Sequence, residues 1–211
     1  MNICLFLHLL IFLKVNMGNI DYISNSSEEF FHVRVLTGVV VSLCMSRLLA
    51  SVAGFIRHPK DKRYNKIQLL WTLNLIFWMM RWWWIILDLK ESVVFNYYIY
   101  IMIVFYSSLH FFIVFLITPD DIDEYSSFEE YFNRVIKIIY IICIIISSDC
   151  FLLFDFDTKS LFSFLFYSSI FLFKSSAYII AIMYKGMQFQ QLFITILLVF
   201  SAVDILLEFL I

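Results

Sequence analysis

The sequence predicts an all-α protein, a polytopic bundle of about six membrane-spanning helices. Three observations carry that expectation. Long apolar stretches recur along the chain, separated by short charged patches, and about six of them reach the roughly 18–20 residues needed to cross a bilayer. Of the 211 residues, 63% are hydrophobic and 15% charged, with a mean hydropathy of +0.89. A water-soluble chain of this length cannot bury so much apolar surface. The period-two alternation of barrel strands is absent, and the runs are too long and uniformly apolar for it. In lipid, unbroken helices satisfy their own backbone groups.

The spans are read at about 33–56, 67–89, 95–117, 135–154, 160–182 and 189–211, one transmembrane domain over 33–211 after an extension at 1–32. Within that extension, ICLFLHLLIFLKV (3–15) is short for a span. It lacks a basic leader and a small-residue cleavage site, so it is a poor signal peptide. Two readings stand side by side: a chain starting at Met17, or a seventh short hydrophobic helix. Ser26-Ser27-Glu28-Glu29 carries the S-x-x-E capping pattern ahead of the first span. Ser126-Ser127-Phe128-Glu129-Glu130 repeats it before the fourth and suggests an amphipathic lead-in over about 127–134. Pro59 and Pro119 fall just after expected helix ends, where proline is tolerated.

Orientation follows from charge. The connection RHPKDKRYNK (57–66) holds Arg57, Lys60, Lys62, Arg63 and Lys66 against one acid, Asp61. Such a segment belongs in the cytoplasm, and the connections 118–134 and 183–188 then lie on the same side. The first helix enters from outside, and Ile211 ends at the outer face.

Within the first span Gly38, Ser42, Ser46, Ala50 and Gly54 recur every four residues. Small side chains in one stripe let another helix approach closely, so this reads as a helix-packing seam, with a ligand or pore groove as the alternative. In the second span Trp71, Asn74, Trp78, Arg81 and Trp82 lie three or four apart or adjacent, on one face. The cluster Trp82–Trp84 suits an aromatic belt near the outer boundary. Charge within spans is the main functional clue, because such groups face the bundle or water. The candidates are Arg47, Arg81, His110, Asp149, Lys174 and Asp204, with Glu208 near the outer surface. Counted from span ends, Arg81 and Asp204 share a depth in the outer half, whereas Arg47, Lys174 and His110 lie toward the inner half.

Pro119-Asp120-Asp121-Ile122-Asp123-Glu124 follows the third span. Its carboxylates are of the type that binds a divalent cation, but the glycine turn and ligand order of an EF-hand are missing. A solvated, capped loop is the reading adopted, on the same side as the basic connection. No glycine-rich phosphate loop, HExxH, G-x-S-x-G or supported Ser/His/Asp arrangement occurs. Cys4, Cys44, Cys143 and Cys150 show no CxxC or metal spacing. No metal, cofactor or enzymatic activity is therefore expected. A net charge of −2 and a pI near 6.1 give no basic field for nucleic acid.

The segments FHVRVLTGVVVSLCMSRLL, RHPK, LLWTLNLIFWMMRWWW and TPDDIDEYSSFEEYF, from about Phe31 to Phe132, resemble a type of small bacterial inner-membrane protein. The resemblance covers about half the chain. It implies a bacterial host, a start near Met17 and an inner-membrane location. Those proteins carry no assigned activity, so the resemblance transfers no catalytic residue.

Three functions are compatible with these features. The first is a non-enzymatic membrane component acting as an oligomer or with a cytoplasmic protein partner, in contact with membrane lipids, as a membrane sensor or effector of bacterial defence would. The second is an ion channel or transporter subunit with Arg47, Asp149, Lys174 and Asp204 along a polar path. The third is an intramembrane enzyme acting on lipid. Orientation is directly testable. A cysteine placed at Lys62 should resist an impermeant thiol reagent in intact cells, and one at Ile211 should react; labelling at Lys62 would overturn the assignment.

Overall fold

A computed structural model describes residues 26–58, 60–61, 64–92, 97–148, 161–184 and 186–210. Over these residues the chain is helical, with no strand. The helices are α1 (Ser26–Arg57), α2 (Lys66–Ser92), α3 (Tyr97–Ile117), α4 (Phe128–Ile146), α5 (Leu161–Met183) and α6 (Met187–Leu210). About six spans were expected; among the described residues four stretches are long and apolar enough to cross a membrane, Phe30–Arg57, Lys66–Leu87, Ile99–Ile117 and Met187–Leu206, and Ser168–Met183 is a shorter apolar stretch. Large apolar side chains also face outward along them, among them Leu43, Phe112, Val199 and Phe200. The chain is an integral membrane protein. The extension up to residue 25 with Met17, and also Pro59, Lys62, Arg63, Asp149, Cys150 and Ile211, lie outside the described residues, as does the side chain of Glu208.

Two boundaries differ from the sequence expectation. The first helix begins at Ser26 rather than near 33. The fourth begins at Phe128 rather than 135, because the amphipathic lead-in and the span are one helix. Ser127 caps it, its Oγ accepting from the Glu130 N–H at 3.4 Å. Glu130 Oε2 reaches back to the Ser126 N–H (2.9 Å) and Oγ (2.7 Å), satisfying amide donors that the helix start leaves open. Beyond the cap, Phe128, Phe132, Ile136, Ile139, Tyr140 and Cys143 form the buried face, while Arg134 and Lys137 are exposed.

α2 is the central element. It packs against α1, α3 and α6, while α1 also meets α3, and α4 lies on α3 and α5. The Trp71 ring lies 6.5 Å from that of Phe132 and 5.8 Å from that of Tyr140. Tyr140 in turn meets Tyr178 at 6.0 Å and Phe193 at 5.7 Å, so one aromatic cluster joins α2, α4, α5 and α6. A second cluster near the start of α1 holds Phe30, Val33, Trp82, Ile86, Ile103 and Tyr106. The expected belt is thereby corrected. Trp82 is buried and donates Nε1–H to Ser107 Oγ at 3.1 Å. The Trp83 ring lies over Gly38, and Trp84 is half exposed.

Consecutive helices α5 and α6 are tied by one side chain. Gln190 is wholly buried. Its side-chain amide nitrogen, Nε2, donates to the carbonyls of Ala181 (2.8 Å) and Tyr184 (2.6 Å), and its Oε1 accepts from Tyr140 Oη. The amide thus serves carbonyls that the end of α5 leaves without helical partners. Gln190→Leu keeps the bulk but strands the carbonyls and the tyrosine hydroxyl, so it should cost about 1–3 kcal/mol. Equilibrium unfolding in detergent checks this, with Gln190→Glu as the partial replacement; an unchanged midpoint for the leucine variant would show that the tie contributes nothing.

Candidate functional site

A dense polar arrangement lies where α1, α3 and the segment after α3 meet. Arg47 is ten residues before the end of α1. Its Nε–H donates to Thr118 Oγ1 at 3.1 Å, one terminal nitrogen donates to the Thr118 carbonyl, and the other pairs with Asp120. The guanidinium also lies 5.0 Å from the centroid of the Phe115 ring. A planar, multidentate donor suits this end, because the last carbonyls of α3 lack helical partners and carry the negative end of its dipole. Beside it opens a cavity of about 130 Å³ bordered by Ser51, Tyr64, Gln68 and Pro119, and Gln68 Nε2 donates to Ser51 Oγ at 3.3 Å.

The clamp holds the acidic segment in one shape. Ile122 is buried in the main core, whereas Asp120, Asp121, Asp123 and Glu124 are exposed. Asp121 Oδ1 accepts from the Asp123 N–H at 2.8 Å, and the Tyr125 N–H donates to the Ile122 carbonyl at 2.8 Å. An apolar anchor thus sits between carboxylates that face outward. A second tie joins the neighbouring connection to α4: Asn65 Nδ2 donates to Glu129 Oε1 at 3.0 Å, while Asn65 Oδ1 caps α2 through the Ile67 N–H at 3.0 Å. The connections 57–66 and 118–127 therefore share one end of the bundle, as the charge pattern suggested. In the basic connection Arg57, Lys60 and Lys66 are exposed. Arg57 ends α1 and Lys66 begins α2, so these two stand on helix ends.

The remaining candidates separate. Arg81 Nε lies 3.2 Å from Asp204 Oδ2, so the two residues read at one depth meet, though at the margin and not facing the bundle interior as expected. The pair bridges α2 and α6 at the bundle margin, with the Asp204 side chain 56% exposed. Below it, Ser201 Oγ accepts from Trp78 Nε1 (3.2 Å) and donates to Asn74 Oδ1 (2.9 Å). His110 is not at the level of Arg47. It stacks on Trp82 at 5.1 Å with Nδ1 2.8 Å from the Tyr106 carbonyl, beside the Arg81 turn. The offset arises because α3 ends at Arg47, well short of the end of α1. Lys174 is half-buried on α5 and makes no ion pair among the described residues. In the small-residue stripe only the ends are covered. Trp83 lies over Gly38, and a Cβ on Gly54 would fall 2.0 Å from Tyr64 Oη, whereas Ser42, Ser46 and Ala50 are exposed. Cys44 and Cys143 are buried thiols.

Thr118, Gln190 and Ile122 are structural keys that the sequence reading did not single out. Thr118 directly precedes Pro119, and that helix-stop signal was its one available marker.

Arg47→Met should loosen the segment 119–126, raising its amide hydrogen exchange at least tenfold while α2 stays protected. Unchanged exchange would show that Ile122 alone holds the segment. Two carboxylates there titrate below their ordinary range: Asp120 through its hydrogen bond from Arg47 and that cation's charge, Glu130 through the Ser126 N–H and then the Ser126 hydroxyl. Their contribution is complete above about pH 4. It is lost as pH falls through the depressed values, so exchange in 119–130 should rise on acidification. Asp120→Asn should remove the part of that rise confined to 119–124; an identical acid response in the variant would sink the assignment.

No protein-family model matches the chain, and no curated protein or solved structure is similar to it.

Proposed function

We propose that this chain is a non-enzymatic component of a bacterial inner membrane, working through a cytoplasmic protein partner or as an oligomer. The carrying observation is the clamped acidic segment. Arg47 and buried Ile122 fix its backbone while Asp121, Asp123 and Glu124 point away from the bundle. A surface that is already ordered loses less entropy on binding than a mobile loop. The exposed carboxylates would recognise a basic patch, and Arg57, Lys60 and Lys66 at the same end would engage acidic side chains or anionic headgroups. Such an ordered charged surface would suit a membrane sensor or effector, as in bacterial defence, that relays between the bilayer and a soluble protein.

The conduit reading needs Arg47, Asp149, Lys174 and Asp204 along one path. Asp149 lies outside the described residues; of the others, Arg47 bonds to residues after α3, Asp204 pairs with Arg81 of α2, and Lys174 stands on α5. The enzymatic reading needs a nucleophile beside a base; Arg47 and Asp120 are instead engaged at the end of α3, and Arg81 with Asp204.

Site-specific photocrosslinking in the native host tests the proposal. A crosslinker at Glu124 should give a discrete protein adduct that the double change Asp121→Asn and Asp123→Asn weakens at least fivefold, while the same probe at Leu206, in the lipid-facing part of α6, gives a different pattern. Only lipid adducts at Glu124, together with a monomeric mass in nanodiscs, would overturn it.

A further inference from the structure

A large groove lies away from the Arg47 end. It runs along the outer face of α1 and is floored by Trp83 and Leu87 of α2, with a volume of about 990 Å³. Its walls are apolar, from Phe31, Val35, Val39 and Leu43, which are 49–61% exposed. One cation lines it: Arg34, whose guanidinium lies 5.2 Å from the centroid of the Phe30 ring. Gly38 and Ser42 form its shallow part, and the Ser42 hydroxyl is turned back onto the Gly38 carbonyl at 2.7 Å, so it presents no free donor there.

We propose that this groove holds one phospholipid, with its phosphate on Arg34 and an acyl chain lying along Gly38 and Ser42 beside Trp83. Length supports it. Arg34 precedes Arg57 by 23 residues, about 35 Å along a helix, slightly more than the hydrocarbon thickness of about 30 Å. With the basic end at one headgroup layer, Arg34 reaches the other, where phosphates lie. Charge supports it too. An arginine at the lip of an apolar groove matches an anionic headgroup above an apolar tail, and the guanidinium fork suits phosphate oxygens. A second copy of the chain in the same place would bury Arg34 against apolar side chains at a desolvation cost. The groove is also open along its side, so a tail enters laterally from the bilayer. This site is independent of the acidic segment and of the partner proposed for it.

Native mass spectrometry of the purified full chain, exchanged into detergent with phosphatidylglycerol or with diacylglycerol of the same tails, tests the proposal. The wild-type protein should retain one phosphatidylglycerol per chain, and at least tenfold less diacylglycerol. Arg34→Gln should abolish that preference, and Arg34→Lys should restore part of it. A Cβ at Gly38 would meet the Trp83 ring at 3.5 Å, an ordinary contact. Gly38→Ala should therefore retain lipid, whereas Gly38→Leu fills the groove and should lower retention of both lipids. Equal retention of the two lipids by the wild type would overturn the proposal, even if no variant folds. So would the absence of any retained lipid, or a lipid-independent dimer that Gly38→Leu disrupts.

Discussion

The buried amide of Gln190 is the contact on which the arrangement of the second half depends. Lipid tails are as apolar as leucine, so burying apolar side chains between helices yields little net gain in a membrane. What fixes neighbours there is close packing together with polar groups that must find partners. Gln190 is wholly buried and reaches Tyr140 on α4 and two carbonyls at the end of α5. Its position on α6 therefore decides where α5 stops and where α4 stands. The rings of Tyr140, Tyr178 and Phe193 then close around that point, with Trp71 of α2 on the far side of Tyr140.

Arg47 plays a corresponding part in the first half, with a different consequence. Its bonds to Thr118 set where α3 leaves the bundle, ten residues short of the end of α1. The overhang of α1 and the start of α2 then frame the small cavity, and the segment after α3 is held against them with Ile122 inserted. A charged side chain spent on a neighbouring helix end is a structural group first. It also creates the ordered acidic surface, which a free loop of the same composition would not present.

Much of the fold was legible because apolar runs of this length have few alternatives in lipid. Helix type, number and rough extent for α2, α3, α5 and α6 follow from that alone. The Ser127–Glu130 cap was also legible, yet the helix it starts was read as a separate lead-in, because Arg134 and Lys137 interrupt the apolar run. Arg81 and Asp204 could be matched because their helices run between the same two ends, so residue counting approximates depth. That method failed for His110. The depth of α3 is set by the contact of Arg47 with Thr118, 71 residues away in the chain, and no local pattern reports it. The stripe from Gly38 to Gly54 was visible as spacing, but spacing says nothing of which neighbour covers it. Two large rings, Trp83 and Tyr64, cover its ends, where another helix backbone was anticipated.

The tryptophans show how a helix in lipid can specify several neighbours at once. All five of the chain lie on α2. Trp71 faces α4 through Phe132 and Tyr140, Trp78 hydrogen-bonds to α6 at Ser201, Trp82 stacks and bonds on α3, and Trp83 lies over Gly38 of α1. Successive residues turn about 100° around a helix axis, so Trp82, Trp83 and Trp84 necessarily address different sides. A run that reads from sequence as one interfacial cluster is, in space, a set of separate contacts. Where apolar character alone cannot distinguish one helix from another, the size of the indole and its single N–H provide the distinction. The central position of α2 follows from that distribution.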